Sequence, residues 1–140
     1  MKASNITLLY NGNTEEAFNF YKSVIGGEFI NVSRMKDIPN APAMGEEEAN
    51  KILHMAFPIG NSIIMGMDLP SSRPAVNMGN NFFITVETES EEETTRLFIG
   101  LSEGGTVTMP LAHQFWGSFF GMFIDKFGIQ WMLSFATQQV

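Results

Sequence analysis

An internal repeat constrains the fold of this chain more than any other feature of its sequence. Residues 6–29 align with residues 84–107 without a gap, at an offset of 78 residues (84 minus 6). The alignment places Glu15 on Glu93, Phe20 on Phe98, and the pair Gly26-Gly27 on Gly104-Gly105. A period this long does not fit a solenoid repeat. The sequence therefore predicts two similar modules in one chain, with two related half-sites and a ligand cleft between them.

Each copy has the pattern of a strand, a helix and three more strands. Asn13 with Glu16, and Ser90 with Glu93, have the spacing of a capping box at a helix start. The double glycines end the two helices, because glycine adopts the left-handed conformation at low cost. Alternating apolar residues predict strands at residues 5–10, 28–35, 51–58, 61–68, 81–86, 106–109, 119–124 and 128–135.

These elements predict one α+β domain over residues 1–140. Its two pseudo-symmetric βαβββ modules, residues 1–68 and 81–140, are joined by residues 69–80 and form a curled, cleft-bearing mixed sheet. Two loops are predicted to flank the cleft. Residues 36–50 form a long loop that can hold a helical turn at 46–50, and residues 110–117 form the matching loop of the second module.

Composition excludes several classes of function. A net charge of −7 argues against binding to phosphate backbones, so no nucleic-acid partner is expected. The chain has no cysteine, which excludes disulfides, thiol nucleophiles and thiolate metal sites. No apolar stretch approaches the roughly 20 residues that a membrane span needs, and the N-terminus turns polar too early for a signal peptide. We therefore expect a soluble cytoplasmic protein without a membrane partner.

Four segments carry a resemblance to a known superfamily: residues 11–29, 54–68, 101–111 and 115–132. The last, FWGSFFGMFIDKFGIQWM, is the most specific. The chain resembles the vicinal oxygen chelate superfamily, which includes glyoxalase I, bleomycin-resistance proteins and extradiol dioxygenases. It looks closest to the PhnB-like branch, often labelled 3-demethylubiquinone-9 3-methyltransferase-like. The resemblance implies paired βαβββ modules around a cleft, and commonly a homodimer.

The metal-dependent members of this superfamily carry His and Glu ligands on the first and last strands of each module. Here residues 3–9 and 61–66 contain no His, Asp or Glu, and the second module offers only Asn81 and Gln130 at such positions. Side-chain amides are poor ligands for transition metals. We therefore predict no metal ligands and no cofactor, and keep a divalent metal as the alternative.

Two histidines and a group of aromatic residues are the candidates for a binding site. His54 lies in a strand and points either into the cleft or into the core, whereas His113 lies in the loop 110–117, where relatives tend to carry Asp in PL-x-D-T-FWG. Both are candidate catalytic residues, because histidine titrates near neutral pH. An exposed loop residue is the alternative for His113, and a core or subunit interface is the alternative for the aromatic group. The candidate ligand-binding residues are His54, His113, Phe115, Trp116, Gln130 and Trp131.

Three hypotheses for the function follow. The first is a protein that binds an unidentified small molecule in an apolar cleft without the usual four metal ligands. The second is a metal-dependent lyase, isomerase or dioxygenase of the vicinal oxygen chelate type, so whether the chain is an enzyme stays open. The third is a dimerisation module without a ligand. The methyltransferase label has no support from the residues, because the glycine-rich loop that a class I methyltransferase needs after its first strand is absent.

Overall fold

The computed structural model describes residues 1–137, and these residues form two compact units, residues 1–77 and a second unit that starts at Met78. Each unit has its own mixed four-stranded sheet. No helix among the described residues is long and apolar enough to cross a membrane.

The first unit contains four strands, a long helix and a short one. Its sheet has the order β1-β4-β3-β2, with β1 parallel to β4 and the other neighbours antiparallel. A single 3₁₀ turn, Met35–Asp37, follows β2. The elements are β1 (Ile6–Tyr10), α1 (Thr14–Ile25), β2 (Asn31–Arg34), α2 (Glu46–Asn50), β3 (Ile52–Ile59) and β4 (Ser62–Asp68).

The second unit repeats this plan. Its elements are β5 (Ile84–Glu87), α3 (Glu91–Ser102), β6 (Thr106–Gln114), β7 (Ser118–Ile124) and β8 (Gln130–Ala136). The sheet has the order β5-β8-β7-β6. This is the order of the first sheet, with β5, β6, β7 and β8 in the places of β1, β2, β3 and β4. The α+β fold and the doubled βαβββ order are therefore confirmed.

The gapless alignment of the two helices is wrong by two residues. The residues that α1 buries, Thr14, Ala17, Phe18 and Tyr21, have the same spacing as those that α3 buries, Thr94, Leu97, Phe98 and Leu101. The helices therefore correspond at an offset of 80 residues, as in Phe18 and Phe98, and not at 78. A helix meets its sheet through one face only, so the buried stripe decides which residues are equivalent.

The start of α1 differs from the predicted capping box. Asn13 makes no side-chain cap. Instead the buried carboxylate of Asp68, at the end of β4, accepts hydrogen bonds from Thr14 N (3.1 Å), Thr14 Oγ1 (2.6 Å) and Ile52 N (2.8 Å). A residue distant in the sequence thus satisfies the first turn of the helix.

At the start of α3, only one of the two hydrogen bonds of the predicted capping box is present. Ser90 Oγ accepts from Glu93 N at 3.0 Å. The carboxylate of Glu93 accepts from Glu89 N at 3.0 Å, one residue before the backbone N–H that a capping box uses.

The predicted loop 110–117 is mostly strand. β6 runs to Gln114, and only residues 115–117 turn. The proline at position 110 suggested a loop because it lacks a backbone donor. β6, however, is an edge strand, and its pairing with β7 shifts register between Met109 and Ala112. An edge strand with a bulge tolerates proline, so the strand continues through it.

Candidate functional site

The sheet of the second unit has two chemically different faces, and α3 covers one of them. Phe98 of α3 packs edge-on against Phe123 with ring centroids 5.1 Å apart, and it lies over Gly121. Trp131 stacks on Phe123 and donates from Nε1 to Asp125 Oδ2 at 2.8 Å. Its side chain has no exposed surface. Trp131, a sequence-predicted ligand contact, is therefore part of the core beneath α3.

His113 lies on the same side of the sheet as α3. It is paired with Phe119 in the register of β6 and β7, and the two rings are 4.7 Å apart. Its Nε2 is 3.3 Å from Glu91 Oε1, in the first turn of α3, and both side chains are about half exposed. His113 is therefore an exposed strand residue at the helix side, and not a loop residue.

The face of the second sheet that points away from α3, here called the open face, is defined by the strand register. Because successive strand residues point to opposite faces, the neighbours of the buried Gly121, Phe123 and Trp131 lie on it. Three methionines, Met109, Met122 and Met132, are directly opposite one another on three adjacent strands. The open face carries Thr85, Glu87, Thr106, Met109, Ala112, Gln114, Ser118, Phe120, Met122, Ile124, Gln130, Met132, Ser134 and Ala136.

An aromatic group stands at one end of the open face, at the turn between β6 and β7. Trp116 packs edge-on against Phe120, with ring centroids 5.8 Å apart and an angle of 72°. Phe115 packs edge-on against Trp116 at 5.1 Å. Trp116 is 49% exposed and Phe115 is 96% exposed, which is unusual for large apolar side chains. The turn closes at Gly117, whose φ of 86° favours glycine.

Several polar side chains stand on the open face, and two of them, Ser118 and Gln130, are buried. Ser118 Oγ and Ser134 Oγ are 2.7 Å apart, on neighbouring strands near Phe120. Gln130 is only 9% exposed, and its Nε2 donates to Phe82 O at 2.7 Å. The sequence-predicted residues Trp116 and Gln130 thus share this face, whereas His113 and Trp131 belong to the opposite one. Ser118 and Ser134 escaped the sequence analysis, although alternation along β7 and β8 places them beside Phe120.

His54 belongs to the first unit, on the face of its sheet that points away from α1. Its neighbours Met55 and Phe57 are buried, and Phe57 packs against Phe18 of α1. Asn31 Nδ2 is 3.3 Å from His54 Nδ1. Asn31 is thus a polar neighbour of His54 on this face of the sheet.

The donor set does not fit the metal that the superfamily resemblance implies. Within residues 1–137, no three His, Asp or Glu side chains lie close enough together to hold an ion. Most polar groups of the open face are hydroxyls and side-chain amides, which are weak ligands for first-row transition metals, and Glu87 is the one carboxylate among the strand residues named above.

Comparison with known proteins shows similarity along nearly the whole chain. The family model described as 3-demethylubiquinone-9 3-methyltransferase matches residues 2–134. Protein YjdN of Escherichia coli K12 is 29% identical over 140 residues, covering 94% of each chain. The crystal structure of protein PA1353 from Pseudomonas aeruginosa is 32% identical, covers 99% of this chain and 100% of its own, and superposes with a TM-score of 0.81.

A second solved structure carries the family description in its name. The putative 3-demethylubiquinone-9 3-methyltransferase, PhnB protein, from Bacillus cereus is 27% identical with a TM-score of 0.76, over 96% of this chain and 100% of its own. The fosfomycin resistance protein FosX from Listeria monocytogenes is 17% identical with a TM-score of 0.62, over 96% of this chain and 92% of its own. The FosX likeness shows the fold alone.

Proposed function

The chain belongs to the PhnB-like family described as 3-demethylubiquinone-9 3-methyltransferase, and from that premise we propose that it binds a small, flat, mostly apolar organic molecule. The proposed site is the open face of the second unit. The observation that carries the proposal is the half-exposed Trp116, held edge-on against Phe120 beside the methionine row.

The middle of the open face, which holds the methionine row and Phe120, matches what small-molecule sites require. Such sites are mainly apolar and contain a few placed polar groups that set the ligand's orientation. Methionine side chains are flexible and polarizable, so a row of three can adapt to different ring shapes. Tryptophan offers a large rigid surface for a planar ring, at the cost of little conformational entropy. Ser118, Ser134 and Gln130 supply the polar groups.

The proposal does not use the four metal ligands of the metal-dependent superfamily members. A flat ligand on this face is held by apolar contact and hydrogen bonds, which need no Lewis acid. FosX was crystallised with Mn(II) and sulfate, so Mn²⁺ is the ion with which to test the metal-dependent alternative. Stoichiometric binding of Mn²⁺, measured by titration calorimetry on metal-free protein, would favour that alternative.

The test of the proposed site uses 2-naphthol as the probe, a flat bicyclic molecule with one hydroxyl. Binding is followed by amide chemical shifts and by calorimetry. We expect the shift changes to concentrate at β7 and β8. Trp116→Ala should weaken binding by about 1–3 kcal/mol, which is roughly 5- to 150-fold, as for loss of an aromatic anchor.

His113→Ala is the matched control, because His113 is an aromatic residue three positions away on the other face of the sheet. It should leave the affinity for 2-naphthol unchanged within about twofold. If Trp116→Ala and the parent protein bind 2-naphthol with equal affinity, and circular dichroism shows that both are folded, the open face is not the binding site. Native mass spectrometry of the protein from its own host then tests for a retained molecule, whose absence would favour the dimerisation alternative.

A further inference from the structure

Gln130 is a buried amide whose orientation is fixed by its surroundings. It is the first residue of β8 and is 9% exposed. Its Nε2 donates to Phe82 O at 2.7 Å. A backbone carbonyl oxygen only accepts, so the nitrogen of the amide must face Phe82 and Oε1 must face away from it. The usual ambiguity between the two amide atoms is therefore removed.

Oε1 of Gln130 is an acceptor with free capacity. Among residues 1–137, the bond to Phe82 is the hydrogen bond that this side chain makes. Within the same residues, no fully buried side-chain nitrogen or oxygen lacks a partner. Oε1 must therefore reach the surface of the protein, although nine-tenths of its residue is buried. An acceptor held in this way is ready to receive a hydrogen bond from a bound molecule.

The strand register places this acceptor on the open face. Gln130 is opposite Ile124, and Trp131, the next residue, is buried on the α3 side. Met132 lies two residues further along β8, opposite Met122. Residues two apart in a strand are about 6.6 Å apart, at about 3.3 Å per residue. The methionine row thus lies between Gln130 and Phe120. Each of these residues is about 6.6 Å from the row along its own strand.

We infer that Gln130 selects the ligand of the open face by accepting a hydrogen bond from it. The inference rests on the proposed function and deepens it. The ligand class is a flat, uncharged ring system of about bicyclic size that carries a hydroxyl or a ring N–H at one edge. Its body lies on the methionine row between Phe120 and Gln130, and the donor at its edge meets Oε1.

The physical basis is the high cost of an unpaired buried polar group. A site built to hydrogen-bond a hydroxyl discriminates strongly against an analogue without it, because the acceptor of the protein then loses water and gains nothing. Contact with the methionines and Trp116 is the same for both analogues. The donor, and not the ring, should therefore decide which molecules bind.

The experiment compares 2-naphthol with 2-methoxynaphthalene, which keeps the ring and the oxygen but has no donor. Affinities are measured by calorimetry and by amide shifts for the parent protein and for Gln130→Met. We expect the parent to prefer 2-naphthol by at least about tenfold. Gln130→Met has similar length and no acceptor carbonyl, so it should bind both probes within about twofold of each other.

The outcomes separate this inference from the proposed function. If the parent binds both probes equally and Trp116→Ala weakens both, the face binds ligands but Gln130 does not select them. If the preference survives in Gln130→Met, another acceptor is responsible and the inference is wrong. If neither probe binds, the proposed function fails and this inference fails with it. Equal affinities of the parent protein for the two probes refute the inference even if Gln130→Met does not fold, and Gln130→Leu then serves as the second variant without an acceptor.

Discussion

Replacement of Asp68 by Asn should destabilise the protein strongly, because this carboxylate joins the start of α1 to two strands. It accepts three hydrogen bonds, two at Oδ1 from Thr14 and one at Oδ2 from Ile52 N, and it is 1% exposed. An asparagine that keeps its oxygen toward Thr14 must turn its NH₂ toward the N–H of Ile52. One charge-assisted bond, worth about 1.5–3 kcal/mol, is then lost, and a buried donor is left unpaired at about 1–3 kcal/mol. Because these terms overlap, we expect a loss of about 3 kcal/mol in the free energy of unfolding.

The measurement is urea unfolding followed by far-ultraviolet circular dichroism. With a slope of about 1–3 kcal/mol per molar urea, the midpoint should fall by roughly 1–3 M. Asp37→Asn is the control, because Asp37 accepts a backbone hydrogen bond from Arg34 N at 2.8 Å but is exposed. It should cost less than about 1 kcal/mol. Near-equal losses for the two variants, or a loss below about 0.5 kcal/mol for Asp68→Asn, would refute the argument from burial.

Three further predictions concern packing, charge and assembly. Gly66→Ala should lower the free energy of unfolding by about 1–3 kcal/mol, because the new Cβ would lie 2.7 Å from Phe18 Cζ. Gly45→Ala is the control, since a Cβ at that position has open space around it. In the same urea assay it should change the free energy of unfolding by less than about 0.5 kcal/mol. Arg34, hydrogen-bonded to Glu15, holds the pKa of that carboxyl below its ordinary 4.5. The ionised pair therefore stabilises the fold at a pH above 4.5. Arg34→Met should lower the free energy of unfolding there by less than about 1 kcal/mol, because the pair is largely exposed. This difference from the parent should disappear as the pH falls through the lowered pKa of Glu15. The homodimer implied by the superfamily resemblance stays a prediction, and light scattering that gives only the monomer mass of 15.6 kDa would contradict it.

Much of the fold was accessible from the sequence because its signals are local. The double glycines and the alternation of apolar residues each act within a few residues, and together with the internal repeat they predicted the order of strands and long helices. The turn of helix at Glu46–Asn50 was also anticipated and is confirmed. The errors occurred where a distant residue intervenes. Asn13 has the composition of a cap, but Asp68, 54 residues away, takes that role.

The candidate site was only partly predictable, because a sequence pattern does not show which face of a strand a helix will cover. Gln130 and Trp131 are adjacent in β8, so strand geometry alone places them on opposite faces. Both were nevertheless candidates for the same ligand surface. The packing of Phe98 on Phe123 decides the matter, since it assigns Trp131 to the core and leaves Gln130 on the open face.

The sequence by itself determined the doubled βαβββ plan, the acidic charge and the set of residues from which any site must be built. Only the tertiary structure decided that Trp116 lies against Phe120 while His113 meets Glu91. Trp116 and His113 are three positions apart in the sequence, and no local pattern predicts that they lie on opposite faces of the sheet. The reason is physical: an edge strand with two shifts of register sets the direction of each side chain through its partner strand, and that pairing is a long-range interaction.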